Sequence, residues 1–212
     1  MVIWLFSVSA HEAAHAWTSW KFEDDTAYLL GRVTLNPIPH IDPIGTLLLP
    51  IIGYAIGFYS GAVGVPLIMW GKPTPVNPLK WRKKDLANVC VSLAGITVNL
   101  LIAIAATLVL KGLIYGGVIT RANLQDSGMQ ILVQFIYGMI VLNIGLAIFN
   151  LLPFPPLDGS KALQSLLPSS FEPIFNILET YGFLILLILL QIGVINRIVQ
   201  PLFGLIFYLL GL

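Results

Sequence analysis

Long apolar stretches with almost no charge limit what this chain can fold into. Of its 212 residues, 57% are hydrophobic and only 10% are charged, whereas a soluble domain has about 25% charged residues. Mean hydropathy is +0.89. This composition is typical of a multi-pass membrane protein. The net charge of +1 gives no reason to expect nucleic-acid binding.

We predict an all-α fold, a polytopic transmembrane helical bundle of five to six spans in one integral-membrane domain covering residues 1–212. The predicted spans are Met1–Trp20, Ile44–Ile68, Leu86–Leu110, Gly128–Leu152, Glu172–Ile192 and Val194–Leu212. Pro and Gly interrupt the second stretch, which could be one kinked span or a span with a re-entrant part. Short extended or β segments are expected between the first spans, because residues 28–41 are too short and too rich in turn residues to cross a membrane.

Two segments, residues 1–20 and residues 71–85, indicate how the chain is placed in the membrane. Residues 1–20 lack the basic flank and cleavage site of a signal peptide, so we expect a retained span. They barely reach the length of about 20 residues that a span needs, which suggests a natural start further upstream. Residues 71–85 hold five of the eleven basic residues. The positive-inside rule places this loop in the cytosol, and its prolines predict an extended segment.

Residues 11–15, His-Glu-Ala-Ala-His, place ionisable groups inside the uncharged first segment. Such groups are costly in lipid and indicate a functional site. In a helix, His11 and His15 project from one face, since positions four apart lie about 40° apart around the axis. Two imidazoles so placed can hold one zinc ion, and Glu12 beside them can act as general base on a water. The alternative is that all three only form hydrogen bonds between helices.

A catalytic zinc ion usually has three protein ligands, so one more must come from elsewhere in the chain. Cys90 is the only cysteine, which excludes a cysteine-based site. Asp158 is the best candidate because it follows a proline-broken helix, although it could equally be a helix N-cap. The weaker candidates are His40 and Asp42 in a turn-like segment, Glu23, Asp24 and Asp25 at a solvated boundary, and Glu172 and Glu179 at a membrane edge.

Three amides lie in otherwise apolar spans, namely Asn99, Asn143 and Asn150. An amide can donate to a developing oxyanion or hold a peptide backbone. It can also hydrogen-bond a neighbouring helix. We favour the second role for Asn143 and leave both roles open for Asn99 and Asn150. Gly95, four residues before Asn99, permits close approach of another element on one helix face.

Taken together, these residues resemble the site-2 protease family of intramembrane zinc metalloproteases. The resemblance covers nearly the whole chain. It rests on His-Glu-Ala-Ala-His-Ala-Trp at 11–17, Gly-Arg-Val-Thr-Leu-Asn-Pro at 31–37, His-Ile-Asp-Pro-Ile-Gly-Thr at 40–46, Lys-Pro-Thr-Pro-Val-Asn-Pro at 72–78, Ser-Leu-Ala-Gly at 92–95 with Asn99, and Asn-Leu-Leu-Pro-Phe-Pro-Pro-Leu-Asp-Gly at 150–159.

The resemblance implies that His11, His15 and Asp158 bind one zinc ion and that Glu12 activates water. It also implies that Asn99 and Asn150 lie near the metal and position substrate or the oxyanion. The short prokaryotic branch without a PDZ domain is the closest in pattern. The expected location is therefore a prokaryotic cell membrane, with the active site nearer the cytosolic side.

We therefore expect a zinc metalloprotease that hydrolyses peptide bonds within or near transmembrane segments of membrane proteins or membrane-anchored peptides. One alternative is a membrane transporter with an intramembrane metal site, which needs no general base. The other is a catalytically silent membrane scaffold. The complete His-His-Asp-Glu set argues against the scaffold, because an inactive protein is free to lose one of these residues.

Overall fold

The computed structural model describes residues 1–60 and 69–211, and these residues form a helical protein. The all-α prediction is confirmed for them. The helices in the described ranges are α1 (Val2–Lys21), α2 (Thr26–Leu29), α3 (Leu49–Ser60), α4 (Lys84–Tyr115), α5 (Ser127–Leu151), α6 (Asp158–Leu166), α7 (Glu172–Gln191) and α8 (Val194–Leu210). Short 3-10 turns cover Ile38–His40 and Ser169–Phe171, and a π-helical turn covers Pro43–Leu48.

Three of the described helices, α4, α5 and α7, are long and apolar enough to cross a membrane. Helix α4 has 32 residues and is about 48 Å long, so it exceeds the roughly 30 Å of bilayer hydrocarbon. Helix α8 is apolar but shorter. The figure of five to six spans stays a prediction. Residues 61–68 of the predicted Ile44–Ile68 span lie outside the described residues, and the choice between one kinked span and a span with a re-entrant part stays open.

The predicted β segments between the first spans are wrong for the part of the chain that the structure describes, since no strand forms there. After α2, residues 30–41 form turns and a 3-10 turn instead. Asn36 explains part of this, because its side-chain oxygen accepts the N–H of Ile38 at 3.1 Å. Such local bonds compete with a β ladder, and Pro37 and Pro39 have no N–H to offer one.

Helix α4 is the centre of the bundle and packs against α1, α5 and α6. The main apolar core fills the space between α4 and α5, and α8 covers it. Its buried members are Ala103, Leu110, Ile119, Ile136, Ile140, Ile144 and Ile148. Asn143 of α5 donates to the Ser7 hydroxyl of α1 at 2.9 Å, which confirms its predicted role as an interhelical link.

The proline-rich turn after α5 brings α6 back against the end of α5. Helix α5 ends at Leu151, as the prolines at 153, 155 and 156 predict. At Gly159, in the first turn of α6, a Cβ atom would overlap the main-chain carbonyls of Leu151 and Leu152. Glycine is therefore required for this close approach, and the approach directs the start of α6 towards α1 and α4.

The extended segment predicted from the prolines after residue 70 is present, and its N–H groups bind other parts of the protein. We call residues 70–77 the strap. The N–H of Trp70 donates to the Gly45 carbonyl at 3.3 Å, and that of Lys72 donates to the His40 carbonyl at 2.8 Å. These bonds place the strap alongside the 40–45 turn.

Asp24 binds the C-terminal end of the strap. The prediction of a solvated acidic boundary at residues 23–25 is therefore wrong for Asp24. Asp24 is fully buried. Its carboxylate accepts hydrogen bonds from the Ser19 hydroxyl at 2.8 Å, the N–H of Asn77 at 2.7 Å and the N–H of Thr26 at 3.1 Å. Burial opposes ionisation, but these donors outweigh it and hold the pKa of Asp24 below its ordinary value.

We expect Asp24→Asn to lower the free energy of unfolding by about 1–3 kcal/mol at pH 7, because the new amide N–H₂ faces buried donors. Because the pKa of Asp24 is lower in the folded state, its ionised carboxylate stabilises the fold at pH values above the unfolded-state pKa. This stabilisation is lost as the pH falls through the folded-state pKa. The difference from wild type should therefore shrink below about pH 4. Unfolding in detergent at several pH values measures this.

Asp25→Asn is the matched control. Asp25 forms a half-exposed ion pair with Lys80, and such pairs contribute at most about 1 kcal/mol. A loss of stability as large for Asp25→Asn as for Asp24→Asn would contradict the anchoring role of Asp24.

Candidate metal centre

The two histidines of α1 project from one face of the helix, as their spacing predicts, and both are buried. Their Nε2 atoms lie 3.0 Å apart. The ring planes are inclined by 74°, with centroids 4.6 Å apart. The two nitrogens therefore converge on one point.

Asp158 completes this cluster from the first turn of α6. Its Oδ2 atom lies 3.0 Å from Nε2 of His11 and 3.1 Å from Nε2 of His15. Leu157 is the residue at the N-cap, and no side chain caps this helix. The local sequence left two interpretations of Asp158 open, a metal ligand or a helix N-cap. In the structure its carboxylate points at the histidines and does not cap the helix.

The hydrogen bonds around His15 indicate that a cation fits between these atoms. Nδ1 of His15 lies 2.6 Å from the Val91 carbonyl, so Nδ1 carries a proton that it donates to this carbonyl, and Nε2 is the nitrogen that faces Asp158. A lone pair and a carboxylate oxygen repel unless a proton or a metal ion lies between them.

The donor set also suits zinc, the metal for which two imidazoles and a carboxylate are a known combination. Tetrahedral ligands at about 2.0–2.2 Å from zinc are roughly 3.3–3.6 Å apart. The observed separations of 3.0–3.1 Å are a few tenths of an ångström shorter. His11, His15 and Asp158 thus form a group that could hold one metal ion.

Lys161 supports the carboxylate from one helical turn further along α6. Its Nζ atom lies 3.2 Å from Oδ1 of Asp158 and is about half exposed. This contact occupies the oxygen that does not face the histidines. Lys161 is not among the residues predicted from the sequence, although its i,i+3 spacing from Asp158 was a usable signal.

Gly95 of α4 provides the space for the His11 ring. A Cβ atom at this position would overlap the imidazole carbons and nitrogens. We expect Gly95→Ala to displace the ring and to lower zinc retention and peptidase activity by at least about tenfold, because misplacement by 1 Å can cost far more. Gly112→Ala in the same helix is the control, since no atom lies within 4 Å of its Cβ position. Equal zinc content in the two variants would contradict this role.

Glu12 lies beside the cluster and lines a small cavity between α1, the strap and α6. Its Oε2 atom accepts the Thr74 N–H at 2.7 Å, and its main-chain carbonyl accepts the Thr74 hydroxyl at 2.9 Å. The cavity is lined by Glu12, His15, Pro73, Thr74, Val76, Trp81, Asn88, Val91, Ser92, Asp158 and Lys161. The cavity therefore borders the predicted base and two of the three predicted metal ligands, His15 and Asp158.

The two candidate amides are not in the lining of this cavity. Asn99 is fully buried and has no hydrogen-bond partner among the described residues. The Asn150 amide donates to the Leu146 carbonyl of its own helix at 3.0 Å. Their predicted role in positioning substrate or the oxyanion stays a prediction.

The weaker candidate ligands lie outside the cluster as well. Nε2 of His40 is bonded to the Thr34 carbonyl at 3.0 Å. Asp42 caps the 43–48 turn by accepting the N–H groups of Ile44 and Gly45. Glu172 and Glu179 are exposed on α7. Among the described residues, only His11, His15 and Asp158 bring three donor atoms of this kind together.

Apolar helices of membrane-spanning length around a buried two-histidine, one-aspartate cluster define the class: a metallohydrolase built into membrane helices. Residues 1–190 match Peptidase family M50, and the chain belongs to this family. The sequence family therefore assigns the chain to the peptidases, and the described residues include one group that could hold a metal ion.

Its relatives bear names of the same kind. The chain is 36% identical over 192 residues to "Putative zinc metalloprotease YwhC" of Bacillus subtilis (strain 168), covering 87% of this chain and 76% of that protein. It is 34% identical to "Putative zinc metalloprotease Rip2" of Mycolicibacterium smegmatis, covering 92% and 67%. It is 30% identical to the protein of that name from Mycobacterium tuberculosis strain H37Rv, covering 99% and 71%. No solved structure matches the chain significantly.

Proposed function

We propose that this protein is an intramembrane zinc metalloendopeptidase that binds one zinc ion through His11, His15 and Asp158. The observation that carries the proposal is the convergence of three donor atoms within 3.0–3.1 Å beside Glu12, in a bundle of membrane-length helices. The substrates are membrane proteins or membrane-anchored peptides cut within or near their transmembrane segments. The family membership supports the peptidase chemistry.

In this proposal the side chains divide the work between holding the metal and moving a proton. Zinc, when bound, polarises the scissile carbonyl and lowers the pKa of a water towards about 7. His11, His15 and Asp158 hold the ion, and Lys161 and the Val91 carbonyl orient two of these ligands. Glu12 takes the proton from water and delivers it to the leaving amine nitrogen.

We further propose that α1 and α8 lie in the membrane with α4, α5 and α7, giving five spans in the described residues. Water and products would exchange on the cytosolic side, in a prokaryotic cell membrane. The support for this side is the strap, which borders the cavity and runs into the basic residues of the 71–85 loop. Such basic loops remain in the cytosol.

The strap is the proposed docking edge for the substrate backbone. A transmembrane helix satisfies its own backbone, so it must unwind locally before it can be cut. Pairing with an extended segment would satisfy the freed groups by β-augmentation. The strap carbonyls of Pro73 and Pro75 can accept hydrogen bonds, and Val76 has the next N–H along the chain, which bonds to no acceptor among the described residues.

We expect Val76→Pro, which removes that N–H, to lower kcat/KM about two- to tenfold, the effect of one net hydrogen bond. Val76→Ile keeps the N–H and should cleave at the wild-type rate. Cleavage of a membrane-inserted peptide is the measurement, and an unchanged rate for Val76→Pro would argue against docking at this edge.

The test of the function uses the purified protein in lipid vesicles with a peptide that contains one transmembrane segment. Mass spectrometry of the products should locate a cut within or near that segment. A chelator should abolish cleavage, and added zinc should restore it. Zinc flux without cleavage would instead support the transporter, and neither activity would support a silent scaffold.

A further inference from the structure

Thr74 makes two hydrogen bonds to the single residue Glu12, and we propose that it is the positioning residue for this base. The proposal rests on the function proposed above for Glu12. The Thr74 N–H binds the Glu12 carboxylate at 2.7 Å, and the Thr74 hydroxyl binds the Glu12 main-chain carbonyl at 2.9 Å. One strap residue therefore contacts both the side chain and the backbone of the base.

The flanking residues commit Thr74 to this contact. Pro73 and Pro75 have no N–H, so Thr74 supplies the only N–H of residues 73–75. That N–H is used by Glu12 and is not available to a substrate strand. The extended conformation that proline favours in the residue before it also keeps Thr74 in the strap.

The two bonds have different consequences for the base. The N–H bond to Oε2 limits rotation of the carboxylate, because a free glutamate side chain would populate several rotamers. Oε1 accepts no hydrogen bond among the described residues and is the oxygen left to take a proton. The hydrogen bond from the hydroxyl to the main chain holds the strap against α1, so the distance between the strap and Glu12 is fixed.

Anchors on both sides of Thr74 make this arrangement rigid. Lys72 is bonded to the His40 carbonyl and Asn77 to the buried Asp24 carboxylate. Thr74 therefore lies in the middle of a segment that is held at both ends. A group so held can orient Glu12 before substrate arrives, which lowers the cost of reaching the reactive geometry.

Three variants separate the two bonds. Thr74→Ser retains both and should have a kcat within about twofold of wild type. Thr74→Val retains the N–H and loses the hydroxyl, and we expect kcat to fall about two- to tenfold. Thr74→Pro loses both, and we expect kcat to fall about 10- to 100-fold, the range for a misplaced catalytic group. KM should change little, because the base acts in the chemical step.

Amide hydrogen exchange gives a readout that does not depend on activity. Residues 72–76 have only three amide N–H groups, those of Lys72, Thr74 and Val76, and overlapping peptides that begin upstream of residue 72 report all three. Glu12→Ala removes the acceptor, so the Thr74 amide should exchange at least about tenfold faster while the Lys72 amide stays protected by the His40 carbonyl. Zinc content measured on the same samples should remain at the wild-type level in the Thr74 variants.

The outcomes distinguish this inference from the proposed function. Unchanged exchange of Thr74 in Glu12→Ala, or a wild-type kcat for Thr74→Pro, overturns the positioning role. Full activity of Glu12→Gln overturns the role of Glu12 as base and leaves the hydrogen bonds as a structural link only. If the Thr74 variants raised KM and left kcat unchanged, so that kcat/KM fell by the same factor, Thr74 would be assigned to substrate binding. This result would also contradict the inference.

Discussion

Replacing Glu12 by glutamine is expected to lower kcat by about 10²- to 10⁴-fold, the usual contribution of a general base, while zinc remains bound. Glutamine has the shape of glutamate and keeps an oxygen that can accept the Thr74 N–H, so the geometry of the cavity is retained. It cannot accept a proton at neutral pH. The metal group comprises His11, His15 and Asp158 and does not include Glu12.

The measurement pairs the cleavage rate of a membrane-inserted peptide with zinc content per chain. Glu23→Gln is the control, because Glu23 lies just after the same helix and forms only an exposed ion pair with Arg82. It should have wild-type activity. Loss of zinc from Glu12→Gln would mean that Glu12 is a ligand, and near-normal cleavage would mean that another group takes the proton.

Local patterns in the sequence predict most of the helical fold. Apolar stretches with little charge predicted the limits of α5, α7 and α8 to within a few residues, because helix length and hydropathy are properties of the segment itself. The predicted strands failed for a different reason. Asn36 and two prolines favour turns through bonds within their own segment, and a ladder needs a partner that sequence alone does not reveal.

The candidate site was predictable where one helix determines it. The spacing of His11 and His15 fixes their common face, whereas Asp158 lies 143 residues beyond His15. Only the packing of α6 on α4 brings it near, and the local sequence left ligand and N-cap equally open. The resemblance to a known family favours the ligand, and in the structure the Asp158 carboxylate faces both histidines.

Contacts made by the main chain were not visible in the sequence. The Val91 carbonyl that orients His15 belongs to a residue whose side chain gives no signal. Asp24 looked like one member of a charged run, yet it is the buried anchor of the strap. The Pro-Thr-Pro triplet was a signal for an extended segment, but the partner of its single N–H depends on tertiary packing.

Replacing Asp158 by alanine is expected to abolish both zinc retention and cleavage. Two imidazoles would remain, one fewer than the three ligands of a typical catalytic zinc site. The loss in zinc affinity should exceed the roughly 10- to 100-fold that follows removal of a hydrogen-bond partner of a ligand. Zinc content after treatment with a chelator, measured on folded protein, tests this directly.

Two variants make the result specific to the position of the carboxylate. Asp42→Ala removes one of the weaker candidate acids, and because Asp42 caps the 43–48 turn, this variant should keep zinc and lose about 1 kcal/mol of stability. Lys161→Met keeps the Asp158 carboxylate but frees its Oδ1 atom, so zinc affinity should fall less than in Asp158→Ala. If the carboxylate served only to neutralise two protonated histidines, zinc would be absent from wild type and from all three variants, and zinc content would not differ among them.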